Sequence, residues 1–273
     1  MVARAAKSGG RWEHVGVLEE RLAGLVSGMS QLEVRRVERS RECGAWLSVV
    51  PLRWAGTGLE REEFGDALRL RYGLVPEGMV KKCDGCGQRF TVEHALSCKV
   101  GGQVLARHND LKEEWAGLCG HAFGRSNVYN EPLIKLSRDV REAGETDNAA
   151  PLGEDRGDVA VHNFWRKRQG AVFDVCVTDT DAPYQQGTEP HSCLVNHEKR
   201  KKRHYLEPCL ERHRSFTPLV FSVDGLMGTE GVAAMRRLAA TLAIKWHAQY
   251  SSTVGYVRAR LSLALVRATS RCL

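Results

Sequence analysis

The sequence predicts an α/β fold. Three observations carry that expectation. Residues 171–178 (AVFDVCVT) alternate with period two and are rich in valine, residues 216–223 form a second apolar run, and residues 231–250 carry apolar side chains at three- and four-residue spacing. The composition, 42% hydrophobic and 27% charged, is that of an ordinary globular chain and excludes wholesale disorder, collagen-like and coiled-coil character. The longest apolar stretches fall short of the ~20 residues that cross a bilayer, so no membrane partner is expected. The opening MVARAAKSGG lacks the apolar stretch of an export signal, and the nine cysteines are an odd number. Together these point to a reducing, intracellular compartment. A formal charge of +7 calls for an anionic partner, nucleic acid first.

Taken in order, residues 17–29, 31–43 and 59–74 read as helices, and residues 76–78 close this region with a turn. A Cys/His cluster follows over residues 83–98, and Gly101 and Gly102 separate it from a helix at 104–123. Residues 128–136 read as a strand, 138–156 as a polar, acidic loop, 158–162 as a short strand and 171–178 as the long one. After a loop at 179–190, residues 195–214 read as a basic helix interrupted near Pro208. The strand at 216–223 and helices at 231–250 and 254–268 complete an α-β-β-β-α-β-α order from Val104 onward.

Cys83, Cys86, His94 and Cys98 have the spacing of a zinc knuckle. A two-residue gap lets a cysteine pair turn around one metal, and His94 and Cys98 at i and i+4 share the face of a helical turn. Gly85 and Gly87 supply turn freedom. Four protein ligands leave no open position for water, so such a site is structural. The bland reading of the six other cysteines is that they are small buried hydrophobes.

A second constellation is acidic. Asp158 opens one strand and Asp174 lies inside the next, on the face shared with Cys176 and Thr178 and opposite Phe173, Val175 and Val177. A carboxylate within a valine-rich strand is costly to bury unless it is paired or binds a metal. Two carboxylates on adjacent strands form a hard-oxygen site suited to Mg²⁺, and Glu131 in the preceding strand could add a third ligand. The competing reading pairs Asp174 with a buried arginine. Glu198 precedes a basic run: Lys199, Arg200, Lys201, Lys202, Arg203, and then Tyr205. The run reads as a solvated face, a nucleic-acid patch, or the source of a catalytic lysine, and Lys201 and Tyr205, four apart, share one face. His108, at a helix start, reads first as a structural hydrogen-bonding residue.

These residues together resemble the C-terminal region of non-LTR retrotransposon proteins that carry a restriction-like endonuclease. In that family a Cys-Cys-His-Cys knuckle precedes a helix opening with Arg-His-Asp or Arg-His-Asn, here Arg107, His108 and Asn109. An acidic strand residue, a Pro-Asp, a second strand aspartate and a basic helix with Lys and Tyr follow, similar here to Glu131, Asp158, Asp174 and the run from Lys199 to Tyr205. The resemblance implies a helical lead-in over residues 1–79, a zinc knuckle over 80–102 and a PD-(D/E)XK nuclease core over 103–273. It further implies a nuclear, Mg²⁺-dependent enzyme that nicks target DNA to prime reverse transcription, or a truncated copy of one, with the element's RNA as a second partner. Catalysis would fall to Asp158, Asp174 and Lys201, with Lys199 next, Glu131 as a third acid and Tyr205 in support. DNA would be seated by Arg107, His108, Asn109, Lys199, Arg200, Lys202 and Arg203. Three positions depart from the family: Gly157 stands for the proline of Pro-Asp, the knuckle's last gap is three residues rather than four, and Cys176 stands where the usual nuclease motif has lysine. No Tyr/Phe-x-Asp-Asp polymerase signature is present. The alternatives are a catalytically decayed nucleic-acid-binding module on the same fold and a protein whose basic charge is incidental.

Overall fold

A computed structural model of the chain describes residues 16, 17, 19–40, 42–136, 154–185 and 187–273. Its centre is a four-stranded mixed sheet of β1 (Val128–Asn130), β4 (Val159–His162), β5 (Gly170–Thr178) and β6 (Arg214–Ser222), in the order β1-β4-β5-β6. The first two pairings are antiparallel, and β5 and β6 run parallel from Gly170↔Arg214 to Thr178↔Ser222. A parallel pair needs a crossover, and α5 (Pro190–Glu211) supplies it. A smaller antiparallel pair joins β2 (Leu133–Leu136) to β3 (Glu154–Arg156).

The alternation in β5 sorts its side chains between two layers. Ala171, Phe173 and Val175 face a core shared with α4 (Gln103–Phe123), α6 (Thr229–Lys245) and α7 (Tyr250–Ser270), through Leu111, Trp115, Leu238 and Leu261. Val172 and Cys176 face the other way, toward Cys209 and Leu194 of α5. Helices therefore cover both faces of the sheet, as a buried parallel pair requires.

Several boundaries differ from the sequence expectation, each for a local reason. The strand expected at 128–136 is two strands, because Glu131 adopts a left-handed φ of 51° just before Pro132. Of the loop expected at 138–156, residues 154–156 form β3, and 138–153 lie outside the described residues. Helix α5 begins at Pro190, where the Glu189 side chain accepts from the backbone N–H groups of His191 and Ser192 and proline occupies the first turn. It runs on through Pro208.

Gly157 is packed where no side chain fits. A Cβ there would lie 2.4 Å from Val172 Cγ1 and 3.3 Å from Ile134 Cδ1, and the Gly157 N–H donates to the Pro132 carbonyl at 2.9 Å. Proline at this position would lose that bond as well as clash. Gly157→Ala is expected to cost about 1–3 kcal/mol of stability in a urea melt.

The lead-in is tied to the sheet. Helix α1 (Gln31–Ser40) buries Arg39, whose guanidinium spans Asp181 in two bonds of 2.7 and 2.9 Å, donates to Thr180 Oγ1 at 3.0 Å and also pairs with Asp224. Arg36 adds a bond of 3.1 Å to Asp181. Asp181 lies just beyond β5 and Asp224 just beyond β6, so one arginine clasps both strand ends. Arg39→Ala removes one member of a buried pair and is expected to cost about 3–5 kcal/mol, read as a shifted denaturation midpoint.

Candidate functional site

Asp158 and Asp174 meet at the junction of β4 and β5. The last register pair between these strands is Val159↔Phe173, and Asp158 N–H extends the ladder by donating to the Phe173 carbonyl at 3.0 Å. Its carboxylate then captures the next free donor, the Val175 N–H, which reaches Oδ2 at 2.5 Å. His108 Nε2 meets the same oxygen at 3.0 Å. Both contacts fall on Oδ2, which leaves Oδ1 for a ligand. The bond to Asp158 holds the His108 imidazole above its ordinary pKa, against the effect of burial.

Asp174 is 8% exposed, and burial pushes its carboxyl pKa up. Lys201, one of the cations on α5, forms an ion pair with its Oδ2. That oxygen is buried, and the Lys201 ammonium is its partner. Burial works against the Lys201 ammonium, but the Asp174 carboxylate outweighs it and the net pKa is raised. Tyr205, one turn on, stacks against Phe216 with ring centroids 5.4 Å apart. Burial and then the charges of Asp174 and Asp155 raise its hydroxyl pKa. Cys176 is packed beside Leu194 and Val220, and burial raises its thiol pKa.

No family model and no curated protein matches this sequence. What the chain can do is therefore read from its own geometry.

The structure does not gather every residue that the sequence nominated. Glu131 is turned by its left-handed backbone so that its carboxylate takes Lys112 at 3.1 Å. Among the described residues, the set of three or more His, Cys, Asp and Glu ligand atoms within 4.8 Å of one another is Cys83, Cys86, His94 and Cys98, so Glu131 does not complete a triad with Asp158 and Asp174. Arg107 cannot contact a phosphate: it is 2% exposed and donates to the Leu96 carbonyl at 3.0 Å. Asn109 Oδ1 lies 3.3 Å from His108 Nδ1. Lys199 is exposed and turned away from Asp174, as helical spacing from Lys201 requires. Lys202 pairs with Glu230, Arg200 donates to His197 Nδ1 at 2.9 Å, and Arg203 is exposed.

Two participants were not legible. His108 as the partner of Asp158 depends on a fold contact across fifty residues. Asp155, 3.3 Å from His204 and close enough to act on Tyr205, lies in a strand that the sequence presented as loop.

The second cluster could hold a metal ion. The ligand atoms of Cys83, Cys86, His94 and Cys98 lie within 4.8 Å of one another. Cys83 Sγ and Cys98 Sγ are 3.9 Å apart, Cys86 Sγ and Cys98 Sγ 4.0 Å, and Cys86 Sγ and His94 Nε2 3.3 Å. The backbone N–H of Cys86, then His94, lowers the Cys83 thiol pKa to about 6, which favours a thiolate ligand. Gly87 turns with φ 72°, and Gly85 lets the chain pass the Val100 carbonyl, which would lie 2.7 Å from a Cβ there. His94 and Cys98 flank the end of α3 (Val92–Ser97), which Thr91 caps by accepting from the His94 N–H at 3.1 Å.

Proposed function

We propose that this chain is a metal-dependent DNA endonuclease that nicks one strand of a duplex, built on a PD-(D/E)XK core and belonging to the restriction-like endonuclease region of a non-LTR retroelement protein. The observation that carries the reading is the placement of Lys201 against Asp174, with Asp158 on the neighbouring strand. Cys176 leaves the usual lysine position without an amine. An amine delivered to Asp174 from the crossover helix meets the same need.

The oxygen donors fit Mg²⁺. The bonds to Asp158 fall on Oδ2 and leave its Oδ1 open, and Lys201 holds Oδ2 of Asp174. When bound there, the metal supplies Lewis-acid activation of water and neutralises charge on the scissile phosphate. The chain's own residues do the rest. His108 and the Val175 N–H fix the Asp158 carboxylate. Lys201 sets the orientation of Asp174, and its ammonium can pass to a phosphate oxygen as charge develops in the transition state. Tyr205 lies one turn on along the same helix face, with its ring against Phe216. The exposed Lys199 and Arg203 serve phosphates farther along the duplex, which makes affinity fall with salt. For the knuckle the reading is zinc. A tetrahedral ion with Zn–S of about 2.3 Å sets sulfur atoms roughly 3.8 Å apart, close to the spacings found here.

Supercoiled plasmid tests the reading. In Mg²⁺ the chain should convert it to the open circle, and both EDTA and Asp158→Ala should stop conversion while the gel shift on DNA persists. A chain that shifts DNA and never nicks it in Mg²⁺ or Mn²⁺ is instead the decayed binding module.

A further inference from the structure

Arg107 carries a charge that the candidate site does not use and that the fold buries at a cost. Arginine stays protonated in proteins, so its guanidinium is charged wherever it is placed. Here it is 2% exposed, and among the described residues its Nε has no partner and no carboxylate forms an ion pair with it. Its contacts are the Leu96 carbonyl at 3.0 Å and the Cys272 Sγ at 4.0 Å. A buried cation held by a carbonyl and a thiol is poorly compensated.

The direction of those contacts is informative. Leu96 lies in α3 between His94 and Cys98, two members of the metal-ligand set. The next residue on α4 is His108, about 100° around the helix axis, and it meets Asp158 at 3.0 Å. One helical turn is thus fastened on one side to the knuckle and on the other to a catalytic carboxylate. The chain joining knuckle to helix is a weak constraint. Gly101 and Gly102 take φ of 99° and 81°, and α4 starts without a side-chain cap. The underside of α3 is incompletely filled, since Val92 and Leu96 border a cavity of about 90 Å³ that Trp46, Leu70 and Asp179 also line.

We propose that Arg107 is a positioning residue that couples metal binding at the knuckle to the placement of His108 on Asp158. The proposal rests on the nuclease reading only in taking Asp158 as a catalytic carboxylate. With the metal in place, α3 is clamped by two of its ligands, Leu96 keeps its carbonyl on the guanidinium, and the first turns of α4 are held. Without it, a helix of six residues cannot stand alone. The Leu96 carbonyl leaves, and α4 shifts until the stranded guanidinium finds another acceptor. His108 moves with it.

Amide hydrogen exchange on the full chain tests this, with zinc bound and after chelation, beside nicking kinetics in Mg²⁺. In the wild type, chelation should speed exchange over residues 104–110 about tenfold and lower kcat by a similar factor, with KM unchanged within about twofold. Arg107→Met, which keeps an unbranched stem but has no donor, should show both changes while zinc is still bound. Arg107→Lys, the donor nearest to arginine in reach, should restore part of the protection. The proposal is overturned if chelation exposes residues 83–98 but leaves 104–110 protected, or if folded Arg107→Met exchanges like the wild type. Should Arg107→Met fail to fold, wild type and Arg107→Lys decide the matter by the same exchange. A wild type that does not nick overturns the nuclease reading alone, and the exchange still decides the coupling.

Discussion

Replacing Asp174 by asparagine and Lys201 by methionine together is expected to abolish nicking and leave the chain at least as stable as the wild type. Asp174 is a buried carboxylate compensated by one ammonium, with Val172 and Cys176 beside it on its strand and Asp158 on the neighbouring one. Replacing such a pair by neutral groups of similar size is often neutral or stabilising by about 1–4 kcal/mol, whereas breaking it from one side costs about 3–5 kcal/mol. Lys201→Met alone should therefore destabilise, and the added Asp174→Asn should recover the loss. The carboxyl pKa gives the sign with pH. Burial raises it in the folded chain, so the folded state holds this proton more tightly than the unfolded chain. The carboxylate's penalty is absent below the ordinary carboxylate range and sets in as pH rises through the raised value. The stability advantage of the double variant should accordingly grow with pH across that window. Urea melts of the two single variants and the double variant, at pH values on either side of it, measure both effects. Activity should fall about a thousandfold or more, because both the metal-holding oxygen and the positioned charge are gone. A double variant less stable than either single one would show that the pair exists for the fold.

The second large effect lies at the knuckle. The chain should carry one zinc, and Cys86→Ser should lose it together with the protection of residues 83–98. A segment this short has no core of its own: Cys83, Ala95 and Leu96 are its buried apolar residues. In comparable small metal-folded units the ion supplies on the order of 10–16 kcal/mol, which is then the folding energy itself. The sheet and its helices bury a separate core through Trp115, Phe173, Leu219 and Leu238, so the main melting transition should persist without zinc. Metal analysis with hydrogen exchange on both proteins checks this. A Cys86→Ser protein that keeps zinc and protection would remove Cys86 from the ligand set.

The α/β architecture was legible because its long strands are buried on both faces and alternate cleanly. In β5, Phe173 and Val175 separate from Asp174 and Cys176 by period two alone, and the structure divides them the same way. The cluster of Cys83, Cys86, His94 and Cys98, which could hold a metal ion, was legible because its four residues are close in sequence. Spacing put Lys201 and Tyr205 on one face, the resemblance put Lys201 ahead of Lys199, and Lys201 is the lysine paired with Asp174. What stayed hidden depends on contacts that spacing does not encode. The turn at Glu131 rests on a left-handed backbone that no glycine announces. The resemblance implied a DNA contact for Arg107, and only tertiary packing places it under Leu96. The clasp of Arg39 on Asp181 and Asp224 joins three segments far apart in sequence. The start of α5 had a local signal, since Glu189 followed by Pro190 is a capping residue before a first-turn proline.

The central claim is that Asp158, Asp174 and Lys201 form a centre that cuts a phosphodiester bond. Single-turnover nicking of supercoiled plasmid at saturating Mg²⁺ tests it most directly, with the wild type beside Lys201→Met. The expected result is open-circle product from the wild type and a rate lower by about a hundredfold or more from the variant, with DNA binding retained. Equal rates from the two proteins, or a wild type that binds DNA and leaves it intact, would contradict the claim.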